Sequence, residues 1–138
     1  MIQVEPHLLW LGHAGDCRDA AKVLDAGIRA VVQLAIEEPP AHFPRDIIYV
    51  RIPLHDGANN SADDLRLAIN TVEQLLSSKI PMLLCCGAGM SRSPAIAACA
   101  LARIEGQSPT ECLQRIQSLH GTDVSVTLWQ DLLACQSH

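Results

Sequence analysis

Four short apolar runs, 8–12 (LLWLG), 30–35 (AVVQLA), 47–54 (IIYVRIPL) and 82–86 (MLLCC), alternate with segments of helical periodicity. That alternation is the strongest limit on the fold this chain can adopt. Runs this short, several rich in β-branched residues, predict strands buried on both faces. Between the first two, 16–27 predicts a helix capped by Asp16 and stopped by Gly27. Segment 61–78 opens on Ser61 with Asp64 three residues later, and Leu65, Ile69, Val72 and Leu76 fall on one helical face. A third helix is expected from Arg92 to Glu105, ended by Gly106. Segment 108–119 has Ser108 as cap, Pro109 at the first helical position and Glu111 at the third. A last helix is expected over Val124 to Cys135. The pattern implies an α/β fold: a central, mostly parallel or mixed sheet of four to five strands, flanked by helices on both faces. The most loop-like stretch, 37–46, is too short to separate domains, so residues 1–138 read as a single domain.

Composition narrows the function classes. Hydrophobic residues make up 49% of the chain, enough for a packed core. The net charge of −5 argues against broad nucleic-acid binding and against a polybasic membrane surface. No apolar run approaches the roughly 20 residues of a spanning helix. The opening, MIQVEPHLLW, lacks the layout of a secretion signal, so the expectation is a cytoplasmic protein with no nucleic-acid or membrane partner. In that setting the six cysteines do not predict a disulfide framework. With no CxxC, HxxxH or HExxH spacing, no metal site is expected. Cys99 and Cys112 read as small core residues.

Residues 83–95, LLCCGAGMSRSPA, carry the chemistry. A buried strand ends at Cys86 and a helix begins near Arg92, with Pro94 in its first turn. The glycine-rich turn between them can aim backbone N–H groups into one hollow at the positive end of the helix dipole, which makes an anion site. Arg92 adds a planar fork suited to two phosphate oxygens. Those same charges favour a thiolate at Cys86, whose pKa is expected to be depressed. An anion cradle with a thiolate at its floor suits nucleophilic attack on a phosphate ester.

Cys86, five residues, then Arg92 and Ser93 resembles the CxxxxxR[ST] signature of cysteine-dependent phosphatases, and GAGMSRS is most similar to the AGxSRS form of the dual-specificity phosphatase family. HLLWLG, GIRAVVQLA and IPLHDG resemble that family's opening and its general-acid loop, with Asp56 thirty residues before Cys86. The resemblance covers most of the chain and is weakest after Gly106. It implies a phosphoester hydrolase, acting on phosphotyrosine and/or phosphoserine and phosphothreonine in proteins through a cysteinyl-phosphate. Cys86 would be the nucleophile and Asp56 the general acid, then base. Ser93 would donate to the departing sulfur. Gly87, Ala88, Gly89, Met90, Ser91 and Arg92 would bind the phosphate, with no metal or organic cofactor. The partner would be a phosphorylated protein or a small phosphoester. Alternatives are a non-catalytic phosphate-binding module, or a phosphatase of RNA, sugar or lipid.

Two departures stand out. The family usually has histidine before the nucleophile, where this chain has Cys85. Cys85 reads either as a small buried strand residue or as a thiol that traps an oxidised Cys86. The tail, SLHGTDVSVTLWQDLL, lacks the basic, Asn-containing stretch usual there. His120 in it could face the site or the surface. Trp129 could pack the last helix onto the core or line a substrate rim.

Overall fold

The computed structural model describes residues 1–136. Its strands are β1 (Ile2–Gln3), β2 (Leu9–Gly12), β3 (Ala30–Ala35), β4 (Ile48–Leu54) and β5 (Met82–Cys85). Its helices are α1 (Ala14–Cys17), α2 (Ala20–Asp25), α3 (Ala62–Ser77), α4 (Arg92–Glu105), α5 (Pro109–Leu119) and α6 (Val126–Gln136). The sheet order is β1-β2-β5-β3-β4. Strands β2, β5, β3 and β4 run parallel, as helical crossovers require, and only β1 is antiparallel. This is the expected mixed α/β sheet with one strand, β1, that the sequence does not announce.

Alternation along the strands fills two cores. In β5 and the residue after it, Met82, Leu84 and Cys86 face the large core under α3, α4, α5 and α6. Leu83 and Cys85 face the smaller core under α1 and α2. Helix α4 lies inside the large core, with every residue from Arg92 to Ala102 buried. A helix that is apolar and small all round belongs in such a place. Among the described residues no helix is long and apolar enough to cross a membrane.

The helix ends follow local chemistry. Ser61 Oγ accepts from the Asp64 N–H at 3.1 Å, and Ser108 Oγ accepts from the Glu111 N–H at 3.1 Å. Gly106 ends α4 in the left-handed conformation, φ +67°. The helix expected over 16–27 is instead two short ones. Asp16 is not its cap: His13 caps α1, and Asp16 completes that capping box from the third position. Asp19 breaks the run, because its side chain accepts from the Lys22 N–H and starts α2.

Candidate active site

Each parallel strand ends at the same edge of the sheet, where crevices form in such folds. β2 ends at Gly12 with His13 just beyond it, and beyond β3 comes Glu37, beyond β4 Asp56, and beyond β5 Cys86. A hollow of about 130 Å³ opens there, lined by Cys86, Ala88, Met90, Ser91 and Arg92 of the loop together with Asp56 and Asp123. The structure thus brings the expected nucleophile, arginine and acid to one cavity. Cys86 lies at its floor, 2% exposed.

The loop is shaped from behind. The Gly87 carbonyl accepts from the Ala14 N–H at 2.9 Å and the Met90 carbonyl from the Asp123 N–H at 2.8 Å. The Gly89 carbonyl accepts from His120 Nε2 at 3.1 Å. Gly89 has φ +77°, and a side chain there would meet the Gly12 carbonyl oxygen at 3.0 Å. Only glycine suits that position.

Arg92 is 4% exposed and held by a carboxylate absent from the expected site, Glu37. Nη1 and Nη2 donate to Oε1 and Oε2 of Glu37, each at 2.6 Å, and Nη1 also donates to the Leu54 carbonyl at 2.9 Å. The fork beside Glu37 holds its carboxyl at about 2, well below the ordinary 4.5. The loop carrying Glu37 is pinned by Gln33, which bonds the Pro39 carbonyl and the Ala41 N–H, and by Arg51, which bonds the Ile36 and Glu38 carbonyls. A side chain on Gly87 would meet Glu37 Oε2 at 2.8 Å, so the first glycine makes room for this pair.

Asp56 Oδ1 accepts from Ser91 Oγ at 2.6 Å, and Ser91 Oγ accepts from the Ser125 N–H at 3.0 Å. Ser91 precedes α4 without capping it, because its hydroxyl is committed to Asp56. Asn60 holds the loop that carries Asp56, bonding the His55 N–H at 2.7 Å and the His55 carbonyl at 2.9 Å.

Arg92 Nε and Ser93 Oγ are buried, and among the described residues neither has a hydrogen-bond partner. His120 lies behind the loop rather than in the hollow, lining a separate cavity with Gly12 and His13. Trp129 packs on the large core. Cys85 does not face Cys86. It bonds the Val32 carbonyl at 3.7 Å, on the opposite face of the sheet. Contact with Cys17, together with burial, pushes its thiol far above the ordinary range. A neutral thiol on the far face is a poor trap for an oxidised nucleophile. Cys99 is pushed up to about 12 by burial and acts as core. Among the described residues no group of three or more His, Cys, Asp or Glu side chains could hold a metal ion.

A family described as "Polymorphic toxin system, DSP-PTPase phosphatase" matches residues 14–107. The chain belongs to this phosphatase family. No curated protein matches it. Among solved structures, human DUSP28 superposes with a TM-score of 0.86 at 22% identity, over 99% of this chain and 96% of that one. A mouse putative dual specificity phosphatase complexed with zinc tungstate gives 0.82 at 21%, over 99% and 91%. OH1 from the Orf virus, described as a tyrosine phosphatase with triple substrate specificity, gives 0.68 at 23%, over 99% and 83%. The fold is therefore that of the dual-specificity phosphatases, and membership makes the chain a cysteine-dependent protein phosphatase, a class that works through a cysteinyl-phosphate.

Proposed function

We propose that Cys86, Asp56, Arg92 and Ser93 carry this activity, with the backbone of 87–92 cradling the phosphate. The observation that supports it most directly is the donor count on Arg92. A guanidinium has five N–H donors. Two on Nη1 and one on Nη2 are taken by Glu37 and Leu54, while Nε has no partner among the described residues. The Nε–H and the second Nη2–H share one edge of the plane. That edge is a preformed fork for two phosphate oxygens, in the wall of the hollow that holds Cys86.

In the first step the Cys86 thiolate attacks phosphorus in line. The S–P bond forms, the P–O bond to the leaving group breaks, and Asp56 delivers its proton to that oxygen. The N–H groups and Arg92 hold the charge on the equatorial oxygens. In the second step Asp56 takes a proton from water as the water oxygen attacks phosphorus. The S–P bond breaks, and Ser93 Oγ, buried and unpartnered, donates to the sulfur that carries the electron pair away. The substrates are phosphorylated proteins or small phosphoesters. Several phosphoesters, phosphotyrosine among them, are the substrate class proposed for the hollow. A cytoplasmic setting is part of the proposal, supported by six free cysteines.

Hydrolysis of p-nitrophenyl phosphate from pH 5 to 8 with EDTA present tests this. Cys86→Ser should abolish turnover. Asp56→Asn should lower kcat by about 10²–10⁴-fold. Wild-type protein that binds vanadate but turns nothing over would leave a phosphate-binding module instead.

A further inference from the structure

The phosphate-binding loop has three carbonyls, of Gly87, Gly89 and Met90, held by donors from two segments, the start of α1 and the α5–α6 connection. Two of the donors are backbone N–H groups, of Ala14 and Asp123. The third is a side chain, His120, at the C-terminal end of α5. A carbonyl oxygen only accepts, so His120 Nε2 must carry the proton and donate it.

The bond falls on a peptide that begins at a glycine. Gly89 has no side chain to lock it and occupies φ +77°. The peptide joining Gly89 to Met90 is a rigid plane with its C=O and N–H pointing opposite ways. His120 lines the cavity behind the loop, with Gly12 and His13. Met90 lines the hollow with Cys86 and Arg92. Drawing the carbonyl back toward His120 therefore turns the Met90 N–H forward, toward a bound anion. Released, the same plane can rotate and present an oxygen to the phosphate, which repels it. Cys85 gives the loop no such support, since its thiol lies on the other face of the sheet.

We propose that His120 is a positioning residue that keeps the 89–90 peptide in its anion-binding orientation. The inference rests on the phosphatase reading of the hollow and adds a residue outside it. His120→Ala should raise both KM and the vanadate inhibition constant about tenfold, the value of one hydrogen bond. His120→Gln, whose Nε2 can reach the same carbonyl, should return both to within about threefold of wild type. Amide and carbonyl NMR shifts of Gly89 and Met90, recorded without ligand, should move in His120→Ala and revert in His120→Gln. A folded His120→Ala with unchanged vanadate affinity overturns the proposal alone. So does His120→Gln as impaired as His120→Ala while still folded. Wild type inert to substrate and vanadate alike overturns the phosphatase reading, and this proposal with it.

Discussion

Replacing Glu37 by glutamine probes the least expected part of the site. Glutamine keeps the shape and one acceptor for Arg92 but removes the charge. The Glu37 carboxyl titrates at about 2 in the folded chain against an ordinary 4.5. At about 1.36 kcal/mol per pH unit, that gap corresponds at face value to roughly 3 kcal/mol. The Glu37 side chain is 52% exposed, however, and water screens the pair. A loss of about 1–2 kcal/mol at pH 7 is the expected result. For a chain of this size the loss lowers Tm by about 3–8 °C. The sign follows from the direction of the shift. A carboxylate whose pKa is depressed by folding contributes fully above its unfolded value, here near 4.5. The contribution fades as pH falls toward 2. Urea denaturation followed by the fluorescence of Trp10 and Trp129 should therefore show a constant gap between wild type and Glu37→Gln from pH 7 to about 5, narrowing below that. Equal midpoints at pH 7, or a gap that persists undiminished to about pH 2.5, would refute the reasoning.

Two further outcomes follow from the loop and its rim. Gly89→Ala should cost about 1–3 kcal/mol and weaken vanadate binding, because φ +77° strains alanine and its methyl meets the Gly12 backbone, which has little freedom to move; a variant as stable as wild type would contradict this. Asp123 is an exposed carboxylate on the wall of the hollow, and it pairs with no cation among the described residues. Asp123→Lys should move the kcat/KM preference from phosphopeptides with basic flanks toward those with acidic flanks, and should do so less at high salt; an unchanged ratio of the two substrate classes would count against it.

The features legible in the sequence are chemistry that stays local along the chain. Ser61, Ser108 and Gly106 mark helix ends because a cap bonds a residue three positions away or needs one backbone conformation. The stretch from Cys86 to Ser93 was legible for the same reason: strand end, turn and helix start are contiguous, so spacing alone puts thiol, N–H groups and guanidinium around one hollow. The break between α1 and α2 was missed because Asp16 and Asp19 compete as caps, and the sequence pattern does not say which wins. β1 is two residues long, too short for any period to show.

The alternation of short apolar runs and amphipathic segments determined the layered α/β fold, and the order Cys86 to Arg92 determined the kind of site, because both depend on neighbours a few residues apart. The tertiary structure alone decided what surrounds that loop. Glu37 reaches Arg92 across 55 positions, Ser125 reaches Ser91 across 34, and His120 reaches Gly89 across 31. Those partners meet because the strand order β1-β2-β5-β3-β4 sets β5 between β2 and β3 and brings the parallel strand ends to one edge. Strand order is a property of how the whole core packs, and no local pattern encodes it.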